Sequence, residues 1–228
     1  MSRLAVAKVA YHLQAILDDL VFVGGCAAAL LVPPPADANL RPTDDVDCVV
    51  PITSYAEFSA LEMKLRELGC SECRDEGAPI CRWVIDGVLM DFMPTEERVL
   101  GFCNKWYPEV MKNPVLVEIE AGIQVKVVNI PVFLATKFEA FSDRGGRGYY
   151  GNSDIEDIIS ILAYRRDSAQ LISEAPAEVK KYLGAEAREL LALRSIENIV
   201  SGCFEADPAS QALVPTVMVA LRNIATSM

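Results

Sequence analysis

Apolar residues recur at helical spacing at the start of the chain, where Val6, Val9, Leu13, Ile16 and Leu17 fall on one face of residues 3–19. A continuous apolar run over 20–23 then reads as a short buried strand. Gly24-Gly25 stops it, and 26–32 follows as a brief helix ended by Pro33-Pro34-Pro35. Residues 45–52 give a second strand, and 54–68 a helix with Phe58, Leu61, Leu65 and Leu68 on one side. Strands over 82–85 and 88–93 flank Asp86-Gly87, a pair suited to a type I′ turn because both positions need positive φ. A further pair, 115–119 and 124–128, surrounds Ala121-Gly122. Beyond Pro131 the strand patterns cease, and 131–142, 153–165, 176–200 and 209–226 all read as helices.

The pattern predicts a mixed α/β (α+β) fold. A small domain with a mixed sheet occupies 1–130, and an all-helical domain occupies 131–228. With 228 residues, 52% hydrophobic content and a mean hydropathy of +0.24, the chain can bury a substantial core. The uncharged run 20–36 carries two glycines and three prolines that a spanning helix would not tolerate, so no membrane partner is expected. Lys8, His12 and Asp18-Asp19 break up a secretory apolar core at the N-terminus, and a cytoplasmic location is the expectation.

The seven cysteines are an odd number lying mostly in apolar runs, as expected of reduced, packed thiols. Cys70-x-x-Cys73, with Cys81 nearby, is the one metal-ligand spacing among them. It lacks a second such pair, and the single histidine, His12, lies far away in a helical pattern. A net charge of −11 argues against a broadly phosphate-coated surface. Arg144, Arg147, Arg165 and Arg166 form the densest basic cluster, around the glycine-rich stretch 144–150. They are either solvated charges near helix ends or a phosphate-contacting loop with Tyr149 and Tyr150 available to stack on bases.

The candidate chemistry centres on acids. In a strand, Asp45 and Asp47 project to the same face, roughly 6.6 Å apart along the chain. Asp91 interrupts the apolar strand 88–93, where a carboxylate is costly without a cation or several donors. The strand, glycine turn and helix start around Gly24-Gly25 aim backbone N–H groups at a single point suited to phosphate. Together these residues form the set that two-metal phosphoryl transfer requires.

Phe22-Val23-Gly24-Gly25, then Arg41-x-Thr43-x-Asp45-Val46-Asp47, and later Asp91 resemble the polymerase-β-type nucleotidyltransferase superfamily. Within it the chain resembles the AbiEii branch, which includes toxins of toxin–antitoxin systems and the mycobacterial MenT proteins. Leu134-Ala135-Thr136-Lys137-Phe138-Glu139 running on to Arg144, and Ser153-Asp154-Ile155-Glu156-Asp157, resemble that branch's helical motifs. The resemblance spans residues 20 to 166 and leaves the last sixty or so unplaced.

The resemblance implies that Asp45, Asp47 and Asp91 hold Mg²⁺, in two ions, with Asp91 also orienting or deprotonating the acceptor hydroxyl. It implies nucleotide contacts from Gly24, Gly25, Thr43, Lys137 and Arg144. Lys137 and Asp154 would come from the helical domain to the active-site cleft, with Asp154 supporting the lysine or the acceptor. Asp157 is either part of that set or a structural partner of Arg144. The implied substrate is an NTP, the implied acceptor a tRNA 3′ end, and the implied genetic partner an antitoxin. A small-molecule or protein acceptor, and a nucleotide-binding module without turnover, remain alternatives. Two positions depart from the pattern. Cys26 stands where a hydroxyl residue is common, leaving backbone N–H groups to meet phosphate, and Ser153 replaces a common lysine.

Overall fold

The computed structural model describes residues 2–120, 122–144 and 148–226. The fold is α+β and divides into two compact units, one formed by Met1–Leu30 with Pro42–Asn129, the other by Leu31–Arg41 with Ile130–Met228. The stretch Leu31–Arg41, which the sequence pattern groups with the sheet, therefore belongs to the helical unit.

In the first unit the chain runs through α1 (Ser2–His12), β1 (Val21–Val23), α2 (Gly24–Leu31), β2 (Asp45–Val50) and α3 (Tyr55–Glu67). It continues through β3 (Ser71–Glu72), β4 (Arg82–Ile85), β5 (Val88–Pro94), α4 (Glu97–Leu100), α5 (Tyr107–Val110), β6 (Val115–Glu120) and β7 (Ile123–Val127). The strands form one mixed sheet in the order β3-β4-β5-β2-β1-β7-β6. β2 runs parallel to β5 and antiparallel to β1, and β1 runs parallel to β7.

Period-two alternation decides which side of β2 faces the core. Val46 and Cys48 are fully buried, while Asp45 and Asp47 between them are half-buried. Phe22, Trp83, Met90 and Phe92 are also fully buried, each on the order of 1.5–3 kcal/mol of apolar burial. The hairpin between β4 and β5 turns on Asp86 at φ +48° and Gly87 at φ +76°, as a type I′ turn requires. Ser54 and Glu57 close a capping box at the start of α3, each side chain accepting a backbone N–H of the other residue.

Helix α1 is shorter than its apolar pattern. It ends at His12, whose Nε2 lies 2.7 Å from the Leu68 carbonyl oxygen, and a 3₁₀ turn, Leu17–Asp19, carries the chain into β1. Leu13 stays fully buried in the intervening turn, so burial continues without the helix. The expected turn at Ala121-Gly122 falls partly outside the described residues, since Ala121 lies among those not described; Gly122 has φ +85°.

The second unit comprises α6 (Ile130–Asp143), α7 (Ser153–Tyr164), α8 (Ser168–Ser173), α9 (Ala177–Ala192), α10 (Ile196–Gly202), α11 (Pro208–Gln211) and α12 (Val214–Thr226). Two helices that the periodicity reads as continuous are broken. The pattern over 176–200 is interrupted at Leu193, which is extended at ψ 124°. The pattern over 209–226 divides before Pro215, whose ring fits only the first turn of a helix and so marks a new start. Among the described residues, no helix is long and apolar enough to cross a membrane.

Candidate metal centre

The sheet register assembles the acidic site. Asp47 on β2 lies beside Asp91 on β5, and Asp91 lies opposite Arg82 on β4. On the other side, Asp47 pairs with Val23, the last residue before Gly24. A single row across four strands thus carries Arg82, Asp91, Asp47 and Val23, with Asp45 two residues from Asp47 on the same face. Each of Asp45, Asp47 and Asp91 offers a carboxylate oxygen within 4.8 Å of the others. Among the described residues this is the one group of three or more acidic, histidine or cysteine side chains so arranged.

Gly24 closes the site against the backbone. Its φ of +68° is left-handed, and a Cβ placed there would lie 1.9 Å from Asp47 Oδ2. The Asp47 carboxylate therefore rests against the start of α2, where the first backbone N–H groups lack helical partners. The thiol of Cys26 is directed to the Val23 carbonyl oxygen at 3.1 Å. Thr43 lies half-buried in the segment leading into β2.

Arg82 is the member of this cluster that the sequence motifs do not mark. Its Nε and Nη2 each donate to one oxygen of Asp91 at 2.8 Å, and the same Nη2 donates to Asp45 Oδ2 at 2.7 Å. Two unit charges 4.8 Å apart repel by about 3–4 kcal/mol at an effective dielectric of about 20, so three adjacent carboxylates need a cation among them. The hydrogen bonds from Arg82 to Asp91, reinforced by the charges of Asp91, Asp45 and Asp47, outweigh burial and raise the guanidinium pKa above its ordinary value.

The donor set fits a hard divalent cation such as Mg²⁺, which prefers carboxylate oxygens. The neighbouring thiols add nothing to it. Burial, reinforced by the charge of Asp91, pushes the Cys81 thiol up to about 12, and burial also raises Cys48 well above its ordinary value. Both remain protonated at neutral pH, and a thiol binds metal only as the thiolate. Of the other cysteines in the zinc-like spacing, Cys70 is buried and Cys73 directs its Sγ at Asp75.

The remaining candidates gather in the second unit. Lys137 on α6 is 7% exposed, with its Nζ 3.1 Å from Asp154 Oδ1 and 2.6 Å from Asp157 Oδ2, both on α7. Arg144 donates from Nη1 to Asp154 Oδ2 at 2.6 Å. Arg41 grips Asp157 with Nε and Nη2, each at 3.0 Å. Burial opposes the Arg41 charge, but the hydrogen bonds and charge of Asp157 prevail and raise its pKa.

The structural partner of Asp157 is therefore Arg41 together with Lys137, and Arg144 takes Asp154 instead. Arg144 lies just past the end of α6 and meets the first turn of α7, whereas Asp157 sits one turn further along. Asn152 caps that helix by accepting from the N–H groups of Asp154 and Ile155. Arg165 is committed to Asp167 and to the Leu31 carbonyl. Arg147 of the basic cluster falls outside the described residues. A scan of the sequence against protein-family models and against curated proteins finds no match.

Proposed function

We propose that the protein is a magnesium-dependent nucleotidyltransferase that moves a nucleoside monophosphate from an NTP to an acceptor hydroxyl. The observation that carries this reading is the convergence of Asp45, Asp47 and Asp91 within 4.8 Å, beside the left-handed turn at Gly24. Divalent ions held by these carboxylates would supply charge neutralisation on the triphosphate and activation of the attacking oxygen. Backbone N–H groups at the start of α2 offer donors to phosphate oxygens. Asp91 orients the acceptor hydroxyl while Arg82 fixes both of its oxygens. In the transfer the hydroxyl passes its proton to Asp91, its oxygen bonds to the α-phosphorus, the bond from that phosphorus to the bridging oxygen breaks, and pyrophosphate leaves.

In this reading Lys137 and Asp154 act as a pair, since the ammonium is already shared between Asp154 and Asp157. The acceptor implied by the resemblance to the toxin branch is a tRNA 3′ end, with an antitoxin as partner. A small-molecule or protein acceptor is favoured by a specific observation. The chain carries a net charge of −11, and Arg144 and Arg165 of its basic cluster are tied up in ion pairs.

Incubating the protein with each α-labelled NTP, Mg²⁺ and total tRNA, beside Asp47→Ala, tests the reading. Label in RNA that disappears in the variant supports a tRNA acceptor. Label reaching only a small hydroxylated compound or a protein selects the second acceptor class. Metal-dependent NTP binding without transfer to any acceptor overturns the enzymatic reading in favour of a binding module.

A further inference from the structure

We propose that Arg82 is the resident counter-cation of the three-carboxylate cluster, and that a divalent ion enters by taking Asp45 away from it. The inference rests on the cluster being a metal site.

The asymmetry of the Arg82 contacts indicates where the cluster opens. Asp91 is held side-on by two parallel bonds from Nε and Nη2, the geometry in which a guanidinium binds a carboxylate most firmly. Asp45 receives one bond, from an Nη2 already engaged with Asp91. Exposure runs the same way, at 10% for the Asp91 side chain, 22% for Arg82 and 33% for Asp45. The Asp45 contact is both single and closer to water, so it is the one that yields.

The backbone sets which contact of the guanidinium can open. Arg82 and Asp91 are directly opposed across the β4–β5 hairpin, so their side-on pairing is fixed by strand register. Asp45 is two residues away along β2 from the position level with Asp91, and Nη2 reaches it diagonally. Asp45 swings off Nη2 toward the ion while Nε and Nη2 keep their side-on hold on Asp91. Arg82 then keeps Asp91 oriented and presents the freed Nη2 proton beside the carboxylates, where phosphate oxygens would arrive.

Two roles for Arg82 make opposite predictions. If it only orients Asp91, removing it weakens metal binding. If it competes for Asp45, removing it strengthens metal binding. Titration with Mn²⁺, read by the electron paramagnetic resonance of the free ion, separates them in wild type, Arg82→Met, Arg82→Lys and Asp47→Asn. Competition predicts a dissociation constant for Arg82→Met at least about tenfold below wild type, with Arg82→Lys returning to within about threefold because a cation is restored. Equal or weaker binding by a folded Arg82→Met overturns the proposal.

Wild-type protein gives an independent reading should that variant not fold. On Mg²⁺ titration the Arg82 Nε–Hε NMR signal persists while its Nη protons exchange faster with water. Mg²⁺ binding that leaves the Arg82 Nη protons unchanged overturns the proposal as well. Asp47→Asn separates the two levels of failure. If it retains full Mn²⁺ affinity, the cluster is not the metal site and both readings fall; if it loses binding while Arg82→Met gains none, only the role of Arg82 falls.

Discussion

Gly24 adopts φ +68°, and a methyl group there would sit 1.9 Å from Asp47 Oδ2, well inside contact distance. Alanine at this position carries a double penalty. The left-handed backbone costs roughly 1–2 kcal/mol for a residue with a Cβ, and the Asp47 carboxylate must swing away from the row it shares with Asp91. Gly24→Ala is therefore expected to lower thermal stability modestly and divalent-metal affinity severely, by about tenfold or more. Isothermal titration with Mn²⁺, alongside far-ultraviolet circular dichroism, measures both. Metal affinity equal to wild type in a folded variant would separate Gly24 from the carboxylates. At the same scale Cys26 packs without disturbing the turn, its thiol directed to the Val23 carbonyl while the backbone around it runs from strand β1 into helix α2.

Helices α6 and α7 are joined through buried charge, with Lys137 between Asp154 and Asp157 and two arginines completing the network. Lys137→Ala removes the cation that Asp154 and Asp157 share but leaves Arg144 on the one and Arg41 on the other, so it is expected to destabilise the helical unit by about 1–3 kcal/mol. Urea unfolding followed by circular dichroism checks this; a loss under about 1 kcal/mol would mean that Lys137 is free to serve a ligand without structural cost. The elements themselves were readable where the chain repeats a period or punctuates it. The strands of the first unit follow their apolar runs, and Asp86-Gly87 forms the turn that its residue types demand. Short elements such as Ser71–Glu72, Glu97–Leu100 and Tyr107–Val110 carry too few residues to show a period. The acids of the cluster stood out as carboxylates within apolar strands, whereas Arg82 opens a strand and looks like an ordinary boundary charge. Its role was nevertheless implicit, because counting outward from a two-residue turn pairs Ile85 with Val88 and so Arg82 with Asp91. The Arg41 pairing with Asp157 had no such local rule, since 116 residues separate the two.

In both units a set of thiols and phenols is held neutral by burial, and this sets how stability responds to alkali. Burial, with the charge of Asp91, pushes Cys81 up to about 12; burial, with the charge of Glu156, does the same to Cys203; and burial raises Cys48 well above its ordinary value. Burial likewise raises the phenols of Tyr107 and Tyr182, with the charge of Asp47 assisting at Tyr107 and the hydrogen bond to Glu139 at Tyr182. For each such group the folded pKa lies above the unfolded one, so its contribution is fully present below the unfolded value and is lost as pH rises through the folded value. Between about pH 8.5, where unfolded thiols ionise, and pH 12, the folded chain retains protons that the unfolded chain releases. Stability should then fall by about 1.4 kcal/mol per pH unit for each thiol held protonated. Cys48 and Cys81 lie in the first unit and Cys203 in the second, so the unfolding transitions of both units should move. Urea denaturation at intervals from pH 7.5 to about 10.5, in a phosphine reductant, measures the slope, which should exceed the contribution of one thiol. Cys81→Ala should reduce that slope by close to one proton while leaving the shift of the second unit intact. A midpoint that stays flat across the interval would show that these groups ionise alike in the folded and unfolded chain, and that their burial does not hold them neutral.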